Sequence, residues 1–313
     1  MRAPAGDASG ADAGPVDEPV TEADPVEPPG DCRGCHDAEW QGFLRSRHRA
    51  AFTGALFQEE WGADHDAFCL PCHAPNVRED AWVEPTRAAA GVDCVACHVE
   101  AGVVRATEVS GRAPHPSRVD PSLGSAALCA TCHQIGFPGQ DDLPLQNTVA
   151  EWRAAGEPAG ACQTCHMPGR DGGARHDFVG GHDSSLLARA LRVEVSRAPG
   201  RVRVSIENEG AGHAVPTGDV FRRLVVRAWP VGRPLVARER ELGRHLVREG
   251  GRWRSVRDDR VPAGGRRVVL LEVPGDGPVE WSIELASQPA SLAGVLEPRD
   301  RPRPVARGTT AVP

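Results

Sequence analysis

Residues 162–168 read Cys162-Gln163-Thr164-Cys165-His166-Met167-Pro168. The first five positions form a pattern, Cys-x-x-Cys-His, that returns at Cys32/Cys35/His36, Cys69/Cys72/His73, Cys94/Cys97/His98 and Cys129/Cys132/His133. All ten cysteines of the chain fall in it. Two thiols three positions apart can each form a thioether to a vinyl group of one porphyrin, and the next imidazole then reaches the iron as its proximal ligand. This is the attachment signature of c-type haem. Zinc sites and disulfide frameworks also use paired cysteines, but neither requires a histidine directly after every second one. The sequence therefore predicts five covalently attached haem c groups.

Composition agrees with a cofactor-filled interior. The 313 residues include 4% aromatics, no Tyr and no Lys, so all 36 basic residues are Arg, and Gly and Pro together number 63. That leaves little apolar material for a core of this size. Each motif has roughly 30 residues of chain to itself, too few for a separate core. The porphyrins are expected to pack against one another and against Trp40, Phe43, Leu44, Phe52, Trp61, Phe68 and Trp152. No run of about 18 apolar residues occurs, which excludes a membrane-spanning helix within this chain. The net charge of −7 divides into −14 for residues 1–190 and +7 for residues 191–313. An acidic chain carrying haem propionates is a poor nucleic-acid binder.

The expected fold class is α+β. Residues 1–31, with eight acids, six Pro and no Leu, Ile or Phe, read as a disordered segment. Residues 32–188 form the pentahaem domain, mainly short helices and Gly/Pro-rich loops with little regular structure. From Leu191 the pattern changes to period-two alternation. Candidate strands are Arg192–Val195, Arg201–Ile206, Arg223–Trp229, Leu235–Arg240, Arg267–Val273 and Val279–Leu285. They predict a small all-β, immunoglobulin-like sandwich over residues 189–290. Residues 291–313 read as a flexible Arg/Pro-rich tail.

Each iron has a second axial position, and seven histidines lie outside the motifs. His48 lies on an apolar stripe with Trp40, Phe43, Leu44 and Phe52 in a helix predicted over Asp37–Phe52. His176 and His182 flank a Gly-Gly pair that lets backbone approach a flat cofactor. His213 sits in a Gly/Pro loop between two strands, placed to reach out of the sandwich toward a haem. His115, between two prolines, completes the distal set, whereas His65 and His245 read as surface residues.

Several of these stretches resemble the multihaem cytochrome c family of the cytochrome c-552/4 and c-554 type. The likeness covers roughly residues 32–285. It is carried by Trp40 to Ala51, by Gly91-Val92-Asp93, by Cys162 to Pro168, by His176 to His182 and by Gly212 to Gly218. The resemblance implies stacked and angled haem pairs, mostly bis-His ligation and electron transfer, with His48, His115, His176, His182 and His213 as distal ligands. Five motifs plus an appended sandwich depart from the family pattern, so assignments haem by haem do not transfer.

The expected function is electron transfer between redox partners, either other cytochromes or a membrane quinol-oxidising complex. Seven spare histidines for five vacant positions leave no need for an open iron. The alternative is a multihaem reductase of a nitrogen or sulfur oxyanion. Two versions of it known in related enzymes, a Lys-ligated and a Tyr-crosslinked catalytic haem, are impossible without Lys or Tyr. Covalent haem attachment places the expected location in the periplasm or at the cell surface. Residues 1–31 do not resemble an export signal, which is then expected either upstream of a misplaced start or in a segment missing from this sequence. The basic sandwich and acidic haem half allow steering of a partner, or self-association.

Overall fold

Residues i, i+3 and i+4 lie on one face of a helical turn, so a short helix presents both thiols and the imidazole of a motif together. The computed structural model, which describes residues 32–77, 85–157, 160–169, 173–287 and 301–310, builds four of the five motifs in this way. The helices are α1 (Asp37–Arg45), α2 (Ala55–Asp64), α3 (Leu70–His73), α4 (Pro85–Ala88), α5 (Cys94–His98), α6 (Ala126–His133), α7 (Thr148–Ala154), α8 (Cys162–His166) and α9 (Ser184–Ala190). Helices α3, α5, α6 and α8 each end on a motif histidine. The first motif is a 3₁₀ turn, Cys32–Gly34, with His36 at the N-cap position of α1. Side-chain caps fix where several turns start. Asp93 accepts from the amides of Val95 and Ala96 at 3.0 and 3.3 Å, and Ser125 from that of Ala127 at 3.2 Å.

Five short strands lie among these helices: β1 (Val99–Glu100), β2 (Val103–Ala106), β3 (Ser117–Val119), β4 (Gln134–Phe137) and β5 (Gln140–Asn147). They form a three-stranded sheet and a hairpin, more regular structure than the composition predicted. The helix predicted over Asp37–Phe52 ends at Arg45. Ser46, buried and extended, returns its amide to Phe43 and caps the amide of Arg49 with its hydroxyl at 3.1 Å. His48 therefore sits in a turn.

The C-terminal part contains β6 (Leu191–Ala198), β7 (Arg201–Asn208), β8 (Arg223–Pro230), β9 (Arg238–Glu249), β10 (Arg252–Asp258), β11 (Arg266–Glu272), β12 (Val279–Ala286) and β13 (Arg303–Thr310). They make two antiparallel sheets, β10-β9-β8-β12-β13 and β11-β7-β6. Alternate residues of both, among them Val202, Val204, Ile206, Leu224, Val226, Ile283 and Leu285, share one core. The five-and-three division departs from the four-and-three arrangement of a constant-type immunoglobulin domain.

Three expectations change here. The strand predicted over Leu235–Arg240 is a 3₁₀ turn, Pro234–Val236, followed by the longer β9, because Pro234 cannot donate to a ladder. The tail predicted to be flexible from residue 291 contains β13, paired with β12 along its length through alternating residues such as Val305 on the core side. The boundary at residue 188 falls inside α9, whose Leu187 and Ala190 belong to the sandwich core. The segment 1–31 lies outside the described residues.

The apolar polypeptide is unevenly shared. The sandwich core gathers 19 buried residues. The motif region has a buried cluster of four, Phe52, Leu70, Ala74 and Ala88, flanked by Phe57, Trp61 and Val77. Of the residues expected to pack there, Phe43 and Phe52 are buried while Leu44 and Phe68 are exposed. The two parts are joined by the β4–β5 hairpin, which lies against β9 and β10. Gln140 bonds the backbone of Trp253 in both directions at 2.9 and 2.7 Å, Phe137 stacks on the Trp253 ring, and Arg244 donates to the carbonyls of Pro144 and Leu145 at 2.6 and 3.2 Å.

Candidate haem-ligating site

Three motif histidines each face an imidazole from elsewhere in the chain at nearly the same spacing. Ring centres are 6.3 Å apart for His133 and His48, 6.0 Å for His98 and His176, and 6.1 Å for His166 and His213. Two metal–nitrogen bonds of about 2 Å, with about 1.1 Å from each nitrogen to its ring centre, require a separation of about 6.2 Å. The spacing is therefore that of two imidazoles on opposite sides of one metal atom. The interplanar angles of 47°, 41° and 15° show that the pairs are not copies of one local fold.

Hydrogen bonds set which ring nitrogen is available. Nδ1 of His98 donates to the carbonyl of Arg105 at 3.0 Å, that of His166 to Val179 at 2.5 Å, that of His176 to Ala174 at 2.9 Å, and that of His213 to Ala214 at 2.9 Å. His73 does the same toward Ala51 at 2.6 Å. A carbonyl can only accept, so the proton sits on Nδ1 and Nε2 keeps the lone pair a metal needs.

Burial disfavours the charged forms of His48 and His133. Burial first, then nearby positive groups, pushes the pKa of each down to about 4.

The remaining motif histidines are placed differently. His73 is stacked on Phe57 with ring centres 4.0 Å apart, and His36 begins α1. Among the other predicted ligands, Nδ1 of His115 lies 2.8 Å from the hydroxyl of Ser117. His182 is near His48 and among Arg47, Arg222 and Arg303, which with burial lower its pKa. His65 caps α2 in a left-handed conformation against Trp61, and His245 is held by Asp259 and Arg257. Neither joins a pair among the described ring contacts.

Thiols of different motifs meet. Cys32 lies beside Cys94, Cys72 beside Cys132, and Cys129 beside Cys162, while Cys97 is also near Cys132. Motif four thus borders motifs two, three and five, and motif one borders motif three. None of the ten cysteines is paired in a disulfide. Among the described residues, no three of His, Cys, Asp and Glu converge as a zinc site would require. Paired thiols, imidazole pairs at iron-bridging distance and a small apolar cluster fit covalently attached porphyrins.

Cys35 departs from the sheltered setting expected of a cofactor-binding thiol. The other nine cysteines are half-buried, whereas Cys35 is exposed. The reason is local winding. Cys72, Cys97, Cys132 and Cys165 lie inside helices that end on the motif histidine, but Cys35 stands one residue past the 3₁₀ turn Cys32–Gly34, its amide returning to the Cys32 carbonyl at 3.3 Å. That turn directs Cys32 toward Cys94 of motif three and leaves the second thiol of the motif facing outward. The structure therefore gathers the expected attachment thiols at four motifs and, at the first, shelters Cys32 without Cys35.

Some supporting residues carry no motif signal. Gly91 has φ +68°, and a Cβ there would overlap the His48 carbonyl and lie 2.9 Å from that of Arg49. The amide of Val92 donates to the His48 carbonyl at 3.0 Å. Asp93, which starts motif three, also accepts from Asn76 at 2.5 Å. Gly91-Val92-Asp93 thus locks the His48 turn to motif three. Glu151, Asn208, Thr217 and Arg260, which hold the His213 loop, are ordinary polar residues in sequence.

Two comparisons with known proteins bear on the chain. Residues 31–99, which contain the first three motifs, match the family model for cytochrome c554 and c-prime. The structure superposes on a penta-heme cytochrome c552 from Thermochromatium tepidum with a TM-score of 0.71 and 22% identity, covering 90% of this chain and 97% of that one. No curated protein matches significantly. No helix among the described residues is long and apolar enough to cross a membrane. Residues 31–99 are thus similar to the cytochrome c554 and c-prime family, and the chain shares the fold of a penta-heme cytochrome c552.

Proposed function

We propose that the chain is a pentahaem c-type cytochrome that passes electrons along closely packed, mostly bis-His haems between redox partners outside the cytoplasm. The observation that carries this reading is the single imidazole spacing, 6.0 to 6.3 Å, repeated at three motif histidines. Haem c, when bound, supplies an iron that accepts and returns one electron. The chain's own residues do the rest. His133, His98 and His166 would each hold an iron together with His48, His176 and His213 respectively, which would keep substrates off those irons. His115 and His182 are the remaining candidates for second ligands of the irons held by His36 and His73. Cys35 would take its thioether on the strength of the motif spacing alone, with a thiol more exposed than those of the other nine cysteines. The adjoining thiols of different motifs would bring the groups they hold near one another, motif four bordering three other motifs. The penta-heme protein of the same fold supports a count of five.

Partners are expected to be proteins able to accept or donate single electrons, with the basic sandwich offered to acidic ones. Steering of that kind weakens with added salt. Intact mass of the protein from a host able to mature cytochromes is expected to show five haem additions, and its spectrum to be predominantly low-spin. Fewer additions would overturn the count. Carbon monoxide binding by the reduced protein at one haem would favour the reductase reading over pure electron transfer.

A further inference from the structure

Helix α7 carries one carboxylate into the seam between the motif region and the sandwich. Glu151 Oε1 accepts from Arg260 at 2.6 Å, and Oε2 accepts from the Thr217 hydroxyl at 2.8 Å and from the Ala214 amide at 3.2 Å. The Glu151 and Arg260 side chains are 11% and 10% exposed. All three donors belong to the sandwich, and two lie in the loop of His213. The hydroxyls of Thr148, also in α7, and Thr217 are 2.9 Å apart. From the far side, Asn208 Nδ2 donates to the His213 carbonyl at 2.8 Å. Arg260 is itself aligned by Asp258 at 2.7 and 2.9 Å.

Helix α7 is tied in turn to the end of motif four. The Ala150 amide donates to the side chain of Gln134, the residue after His133, at 2.8 Å. A largely buried carboxylate is tolerated when charge-assisted bonds satisfy it, and such bonds hold their partners stiffly. The path from motif four to the His213 ring thus runs Gln134, Ala150, Glu151, Ala214, and the side chains it uses are those of Gln134 and Glu151.

We propose that Glu151 is a positioning residue for His213: it fixes the sandwich loop so that the imidazole stays at ligand distance from the iron held by His166. This rests on the reading of His213 as a distal ligand. The test uses the haem-loaded full chain, with haem content checked by mass. Glu151→Ala is expected to develop a high-spin, carbon-monoxide-binding fraction at the same haem as His213→Ala, several-fold above the wild type. Glu151→Gln, which keeps an acceptor oxygen for the loop, is expected to restore most of the low-spin signal. A fully loaded Glu151→Ala protein with the wild-type spectrum and no gas binding overturns the proposal. If Glu151→Ala does not accumulate, Thr217→Val leaves the Glu151–Arg260 pair intact and is expected to raise gas binding at that haem; a wild-type response overturns the proposal equally. If His213→Ala itself leaves every haem low-spin, the ligand reading fails, independently of Glu151.

Discussion

Replacement of His213 by alanine is expected to turn one haem in five from low-spin to high-spin and to let it bind carbon monoxide when reduced. The two imidazole rings are 6.1 Å apart and nearly parallel, and Nδ1 of each is committed to a backbone carbonyl, leaving Nε2 for the metal. No rotamer change elsewhere supplies a substitute at once, because the loop on either side of His213 is held by Asn208, Thr217 and Val261. His245→Ala is the matched control. Its imidazole is engaged by Asp259 and Arg257, so its loss is expected to leave the spectrum unchanged. Absorbance and electron paramagnetic resonance read both variants. Equal spectra for the two would sink the assignment of His213. The result also bears on architecture, since His213 is the one predicted ligand that comes from the sandwich. The other four haems should therefore keep their wild-type signals in the His213 variant.

The second large effect is expected from Gly91→Ala. Position 91 has positive φ, and the added Cβ would strike two backbone carbonyls, those of His48 and Arg49, which cannot swing aside as a long side chain could. Backbone strain of this kind costs about 1–3 kcal/mol, and the displaced carbonyls add to it. At roughly 2–4 °C per kcal/mol for a chain of this size class, melting should drop by roughly 5–10 °C at a fixed scan rate. The His48 turn moves with it, so a high-spin fraction at the haem of motif four should accompany the loss of stability. Gly139→Ala is the comparison. Position 139 also has positive φ, but nothing lies within 4 Å of its Cβ position, so it isolates the conformational cost from the clash. If Gly91→Ala melted no lower than Gly139→Ala and kept the wild-type spectrum, the lock between the His48 turn and motif three would be refuted.

What could be read without coordinates follows the range of the interactions involved. The Cys-x-x-Cys-His pattern is satisfied within one helical turn, so its spacing alone names the cofactor chemistry. Its surroundings are another matter: Cys35 has the same place in its motif as Cys72 or Cys132, and only the winding of the chain leaves it exposed. The strands β6, β7, β8, β11 and β12 likewise announce themselves by alternation over a few residues. Strand β10 did not: all seven of its residues are exposed, so its identity comes from pairing with β9 and from the hairpin that meets Trp253. Strand β13 was hidden by Pro302, Pro304 and its arginines, residues that an edge strand tolerates because one side of its backbone need not be paired. The short strands of the motif region are also invisible locally, being two to eight residues long and stabilised by neighbours.

The sequence by itself determined that each motif places two thiols and one imidazole within five consecutive residues, the spacing expected for haem c attachment. Which histidine faces which motif was decided only by the tertiary structure. His48 meets His133, His176 meets His98 and His213 meets His166 across separations of 85, 78 and 47 positions. A pairing of that kind depends on the closure of loops, on Gly91 and Ser46 turning the chain near His48, and on Glu151 joining two domains. Those are contacts between surfaces, and no local spacing encodes them.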